Sequence, residues 1–151
     1  MNMESRKPAA FARILGEDKS GIRGKVLFYS LPGGVMVEAN IVGLPKNKNG
    51  FFGFHIHSGD QCSGIGFSST GTHYDRDNYM HPRHAGDLPP LLSAGGRAYL
   101  AVVSDRFSMR EILGRTVVIH DNADDFTTQP AGNAGRKIAC GVIEPMNRYH
   151  R

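Results

Sequence analysis

Apolar and polar positions alternate along several short stretches of the chain, the period of a strand with one face buried. Residues 35–42 place Val35, Val37, Ala39 and Ile41 on one face. Residues 25–30 are rich in strand formers, and Leu31-Pro32-Gly33-Gly34 between the two reads as a turn, so this region predicts a hairpin. Residues 43–50, rich in Gly, Pro, Lys and Asn, end the run. In residues 52–57, Phe52, Phe54 and Ile56 face one way and His55 and His57 the other. The strand pattern returns at residues 97–103, 116–120 and 137–143, and residues 108–113 predict one helical turn. Residues 58–90 and the stretch between His120 and Lys137 carry no sustained period. Segments that long without regular structure are usually functional or disordered. Short strands with two long loops predict an all-β sandwich or barrel. With 151 residues the chain makes one domain, placed at residues 8–145, with a basic tail at 146–151 that is expected to fray.

Composition changes the picture little. Gly 19 and Pro 8 suit many turns, and 40% hydrophobic with 21% charged residues suits a globular chain. The net charge of +4 invites a nucleic-acid reading, but Lys and Arg are scattered and no basic run alternates with aromatics. No nucleic-acid partner is therefore expected, whereas a basic surface is compatible with a small anionic substrate. No apolar run approaches a membrane span, so no membrane partner is expected. Residues 1–10 are polar and lack the apolar centre of a secretory leader, which predicts a cytoplasmic protein. A leader removed before Met1 would instead place it in a periplasm or outside the cell. Cys62 and Cys140 are too far apart for a paired-cysteine motif. Two free buried thiols and one disulfide closing a long loop both remain open. A disulfide favours an oxidising compartment, in tension with the missing leader.

The histidines carry the chemistry. There are seven: His55, His57, His73, His81, His84, His120 and His150. His55 and His57, two apart in a predicted strand, project from one face while Phe54 and Ile56 anchor the other. A rigid strand carrying two imidazoles is half of a tetragonal copper site. His120 closes another strand after Val117-Val118-Ile119. His73, His81, His84 and Asp87 fall within one irregular loop, and three histidines with a carboxylate make a tetrahedral zinc set. A metal would also give that loop a reason to be ordered.

On these residues the chain resembles the copper/zinc superoxide dismutases. Gly53-Phe54-His55-Ile56-His57 looks like that family's copper-ligand strand. Gly71-Thr72-His73-Tyr74-Asp75 resembles the segment whose imidazole is shared by both metals, and His84-Ala85-Gly86-Asp87-Leu88-Pro89 resembles the zinc-ligand end. Val118-Ile119-His120 followed by Ala123-Asp124-Asp125 is similar to the last copper ligand and its outlying aspartate. Gly132-Asn133-Ala134-Gly135 and Ala139-Cys140-Gly141-Val142-Ile143 resemble the C-terminal signature, and the step from His57 to Cys62 is similar to bacterial members. The resemblance implies an eight-stranded Greek-key sandwich or barrel. It implies copper on His55, His57, His73 and His120, and zinc on His73, His81, His84 and Asp87, with His73 as a bridging imidazolate. It implies that Asp124 accepts hydrogen bonds from His55 and His81, and that Cys62 and Cys140 form a disulfide. The implied reaction converts superoxide anion to dioxygen and hydrogen peroxide by alternate reduction and reoxidation of the copper.

Two features depart from the family pattern. The zinc loop is short, with His81 and His84 only three apart, which leaves the reach of His81 open. The family's arginine three residues before the final cysteine is replaced by Lys137, preceded by Arg136. Lysine keeps the charge and loses the planar fork. Alignment to Cys140 without a shift favours Lys137 as the active-site cation, and a one-residue shift would present Arg136. A non-catalytic metal-storing or structural relative is the main rival, against which the retained copper-type histidines argue. A copper-delivery protein would want cysteine pairs, which two isolated cysteines do not supply. Monomer or homodimer is left undecided.

Overall fold

The computed structural model of the chain describes residues 6–148. His150, the first residues of the polar N-terminal stretch and the end of the basic tail lie outside them. Met146–Arg148 forms a 3₁₀ turn, and the Met146 N–H donates to Ala9 O at 3.0 Å.

The predicted hairpin is present as β2 (Arg23–Leu31) and β3 (Gly34–Val42), paired antiparallel through Leu31↔Gly34. Val35, Val37, Ala39 and Ile41 all point into the core. Gly33 makes the turn at φ 76°, a conformation that side chains with a Cβ resist. A strand absent from the sequence reading, β1 (Ala10–Gly16), pairs with β2. Ala10, Ala12 and Ile14 face the core, while on the opposite face Phe11 is buried as well and Leu15 is exposed, so its polar alternation is blurred. The predicted strand at residues 52–57 is divided at Gly53 into β4 (Phe51–Phe52) and β5 (Phe54–His57). β4 pairs with β6 (Leu91–Leu92), a second short strand the pattern did not reveal. Then come β7 (Ala98–Ser104), α1 (Met109–Ile112), β8 (Thr116–His120) and β9 (Lys137–Pro145). The predicted helical turn starts on a capping box, in which the Ser108 hydroxyl accepts from Glu111 N–H and the Glu111 carboxylate accepts from Ser108 N–H.

Seven strands form one curled antiparallel sheet in the order β5-β8-β9-β1-β2-β3-β7, with β4–β6 as a separate two-stranded ladder. The last strand returns beside the first, giving the order β9-β1-β2-β3, which is the Greek-key signature. The implied eight strands are thus seven plus a ladder of two. Phe28, Phe52, Phe54, Ile14, Ile41, Ile56, Ile119 and Ile143 fill the interior. Among the described residues no helix is long and apolar enough to cross a membrane.

One consequence of this topology positions the site. β5 lies at the edge of the sheet, where an unpaired strand presents free backbone groups. The irregular loop after it takes up that edge. Ile56 N–H donates to Gly86 O at 2.8 Å, and Tyr74 N–H donates to Ile56 O at 2.7 Å. These bonds set His55 opposite Asp87 and His57 opposite His73. The loop therefore covers the histidine face of β5, and all four of its residues are buried.

Candidate metal centre

Period-2 alternation puts His55 and His57 on the face of β5 that the loop covers, while Phe54 and Ile56 enter the core. His120 reaches the same place from the end of β8. The register between β8 and β9 shifts there, from Ile119↔Ala139 to His120↔Lys137. An unshifted ladder would set Ile138 opposite His120. The bulge seats Lys137 there instead and keeps Ile138 buried.

Six histidines and two aspartates then converge. One ligand atom from each of His55, His57, His73 and His120 lies within 4.8 Å of the others, and the same holds for His73, His81, His84 and Asp87. His73 is in both groups. The short loop brings His81 fully into the second one. A third group, His55, His81 and Asp124, has the same compactness, but its nitrogens are occupied differently. His55 Nε2 donates to Asp124 Oδ2 and His81 Nε2 to Asp124 Oδ1, both at 2.7 Å. Asp124 thus joins one ring of each set and leaves their Nδ1 atoms facing inward.

The hydrogen bonds assign the remaining ring protons. His57 Nδ1 donates to Gly71 O at 2.8 Å, and His120 Nδ1 donates to Gly135 O at 3.3 Å. Their Nε2 atoms, bare in neutral rings, face each other at 3.2 Å. Among the described residues three buried side-chain atoms have no hydrogen-bond partner: His55 Nδ1, His73 Nε2 and His81 Nδ1. His81 Nδ1 lies 3.1 Å from Asp87 Oδ2 without hydrogen-bond geometry, so the two are neighbours rather than partners. Unpaired buried nitrogens cost free energy unless something else binds them. Bare lone pairs converging on a point are what a cation supplies a reason for. The first set is four nitrogens, which suits copper. The second is three nitrogens and a carboxylate, which suits tetrahedral zinc. His73 Nε2 faces the first set, and its Nδ1, 2.8 Å from Asp87 Oδ1 and 3.4 Å from His84 Nδ1, faces the second. The residues present fit both metals.

Electrostatics keep these groups in ligand form. Burial pushes His57 well below the ordinary histidine range, with His73 and His120 adding to the effect. Burial likewise lowers His73, and lowers His120 to about 3. Burial alone would raise Asp124, but the hydrogen bonds from His55 and His81 outweigh it and bring it to about 2. Burial also opposes ionisation of Asp87, and the bond from His73 prevails. The sign of the pH effect follows. A histidine held neutral in the fold binds fewer protons than in the unfolded chain, so stability falls as pH drops below about 6.5. Asp124 acts in the same sense below its unfolded value, toward about 2. Metal-free protein is therefore expected to lose on the order of 2–5 kcal/mol between pH 6.5 and 4.5. Urea midpoints of the metal-free protein at the two pH values check this. An unchanged midpoint would contradict the neutral, buried state of these rings.

A cavity of about 460 Å³ opens onto the first set, lined by His57, His73, His120, Gly71, Thr72 and Lys137 among others. Lys137 Nζ donates to Thr70 Oγ1 at 2.8 Å and to Gly71 O at 2.9 Å. Arg136 turns the other way, with Nε 3.2 Å from Asp121 Oδ2 and a side chain 72% exposed. Cys62 and Cys140 are joined in a disulfide, which fastens the loop to β9 three residues beyond Lys137.

Several positions that serve the site have no role of their own in the sequence reading. The Gly71 and Gly135 carbonyls fix two ring tautomers. Gly132 packs on the Asp124–His81 bond, and a Cβ there would lie 2.0 Å from Asp124 Oδ1. Its glycine-rich context was the available signal. Thr70, fully buried at the end of a 3₁₀ turn (Ile65–Thr70), gave none.

Comparison with known proteins agrees with the donor chemistry. The family model for copper/zinc superoxide dismutase (SODC) matches residues 22–143, from the start of the β2 region to the middle of β9. A copper/zinc superoxide dismutase of Legionella pneumophila is 35% identical over 129 residues, spanning 80% of this chain and 77% of that protein. One of Deinococcus radiodurans is 34% identical over 163 aligned positions, spanning 93% and 87%. A solved structure, a double mutant of a SOD-like protein from Bacillus subtilis, superposes with TM-score 0.78 at 28% identity, over 87% of this chain and 95% of that one. Because the matched region carries both donor sets and their shared histidine, the chain belongs to the copper/zinc superoxide dismutase family.

Proposed function

We propose that this chain dismutes superoxide in the cavity bounded by His57, His73, His120 and Lys137. Copper would be held by His55 Nδ1, His57 Nε2, His73 Nε2 and His120 Nε2. Zinc would be held by His73 Nδ1, His81 Nδ1, His84 and Asp87. The observation that carries this reading is the sharing of His73: one ring, buried between two donor sets, turns an unpartnered Nε2 to the first and an Nδ1 bonded to Asp87 to the second. Bound copper would supply the one-electron exchange with superoxide, and zinc would polarise the shared ring.

The residues of the chain do the rest. Asp124 holds His55 and His81 in fixed tautomers, and the Gly71 and Gly135 carbonyls do the same for His57 and His120. His73 lines the cavity, and its Nε2, when not engaged by a metal, would take up a proton from solvent and pass it to the departing peroxide. Lys137 supplies the positive charge that draws the anion inward. Its Nζ is bonded to two neutral oxygens, and among the described residues no carboxylate pairs with it, so its charge is not cancelled locally. Arg136 is bound to Asp121 and its charge is largely offset. Electrostatic steering of a small anion is established for superoxide dismutases.

The test is superoxide consumption by protein of measured copper and zinc content. Activity that tracks copper supports the reading, and zinc-loaded protein that binds no copper would overturn it. Lys137→Gln should slow the reaction and flatten its dependence on ionic strength while copper stays bound. Arg136→Gln should do less, because an exposed charge is screened over about 10 Å at 0.1 M salt. Wild-type rate and salt dependence in both variants would move the guiding charge elsewhere.

The pH profile gives a separate prediction. Burial lowers Lys137 from its ordinary value, so its charge is lost earlier on the alkaline side than that of an exposed lysine. The rate should fall as pH rises toward 10, and Lys137→Arg should move that fall upward, because guanidinium stays charged there. A steady-state profile from pH 7 to 11 measures it. Coincident alkaline limbs would rule out Lys137 as the titrating group.

A further inference from the structure

We infer that Thr70 is a positioning residue, whose hydroxyl holds the Lys137 ammonium at the wall of the cavity. The inference rests on the reading of Lys137 as the guiding cation. It adds what keeps that cation in place.

A lysine ends in a flexible four-carbon stem, and nothing in its own chemistry fixes where the charge sits. Here the ammonium has two acceptors, Gly71 O and Thr70 Oγ1. The Gly71 carbonyl is already engaged with His57 Nδ1, so Lys137 and a copper-set histidine share one oxygen. The second acceptor is the distinctive one. A hydroxyl has one proton to give and two lone pairs to offer. Thr70 Oγ1 gives its proton to Phe67 O at 2.9 Å. That donation leaves lone pairs for the ammonium, so the polarity of the Thr70–Lys137 bond is set from behind. Phe67 is itself at φ 55° and Gly66 at φ 61°, and this left-handed pair shapes the turn that carries the Phe67 carbonyl.

Three tethers then hold this segment to β9: the covalent Cys62–Cys140 bond and the hydrogen bonds from Lys137 to Thr70 and to Gly71. Thr70 is fully buried and does not line the cavity. It therefore acts on the anion only through Lys137. A planar guanidinium can reach several acceptors through its fork, whereas an ammonium needs them brought close. A threonine hydroxyl at this position meets that need.

The test uses copper- and zinc-loaded protein and azide, a small anion, followed by its effect on the copper absorption band, alongside superoxide consumption at several salt concentrations. Thr70→Val keeps the shape and removes the acceptor. It should weaken azide binding about three- to tenfold, less than the full worth of a bond to a charged group because the Gly71 carbonyl still holds the ammonium, and flatten the salt dependence with copper content unchanged. Thr70→Ser should restore azide affinity to within about twofold of wild type, since it regains the acceptor. In a Lys137→Gln background, Thr70→Val should add nothing further, the signature of one residue acting through the other. If Thr70→Val binds azide like wild type while Lys137→Gln does not, Thr70 has no positioning role and Lys137 keeps its own. If Lys137→Gln also changes nothing, the reading of Lys137 itself is lost, and this inference with it. Failure of Thr70→Ser to recover would assign the effect to packing and overturn the inference. A measurement on the unaltered chain covers the case in which Thr70→Val does not fold. The ¹⁵N-labelled ammonium of Lys137 in the copper(I), zinc-loaded protein should exchange its protons slowly. Exchange as fast as that of an exposed lysine would overturn the inference.

Discussion

Replacement of His73 by Ala is expected to leave two separated half-sites and to cost about 10²–10⁴-fold in superoxide consumption, the range spanned by a positioned proton-transfer group. Both donor sets include this ring, and its Nε2 is buried with no hydrogen-bond partner. Without it, His55, His57 and His120 still offer three nitrogens, and His81, His84 and Asp87 still offer three donors. Copper and zinc should therefore remain measurable, with altered spectra, while turnover collapses. A control at Asp124 separates bridging from packing. Asp124→Asn keeps the shape but accepts through one oxygen only, so one of the two bonds to His55 and His81 is lost. Metal affinity should fall there without loss of the shared ring. His73→Ala protein that retains the wild-type rate and copper spectrum would remove the bridge from the reading.

The second large effect belongs to Cys62–Cys140. The bond closes a loop across a sequence separation of 78, for which the chain-entropy model gives about 4–5 kcal/mol. Cys62→Ser with Cys140→Ser should lower the unfolding temperature on the order of 10 °C or more for a chain of this size. Activity should suffer as well, because the released segment carries Thr70 and Gly71, the two acceptors of Lys137. Calorimetry and the salt dependence of the rate report the two consequences separately. A double serine variant as stable as wild type would show that the denatured chain gains nothing by being uncrosslinked.

Much of the site was legible because its chemistry is local. His55 and His57 share a face by strand period alone, and Val117, Ile119 and His120 mark the end of β8 without reference to any partner. His73, His81, His84 and Asp87 were conspicuous as histidines and a carboxylate in one loop. Strands with branched inward residues, such as β3, could be read directly. β1 could not, because Ala10, Phe11 and Ala12 are buried in succession while the apolar Leu15 is exposed. β6 is two residues long, too short for any period to register.

What the amino-acid order determined by itself was which side chains bear donors and which face of its strand each occupies, since both follow from residue type and backbone period. What only the tertiary structure decided was which donors meet and how each is oriented. The free edge of β5 recruits the loop through the Ile56 backbone, and so sets Asp87 beside His55 and His73 beside His57. The bulge between β8 and β9 chooses Lys137 over Arg136, because one skipped residue reverses the side a chain presents. Ring tautomers come from Gly71 O, Gly135 O and Asp124, and the place of the lysine charge from Thr70. These partners lie between 14 and 69 residues away from the groups they fix. No sequence period carries that information, because such contacts exist only once the sheet has folded.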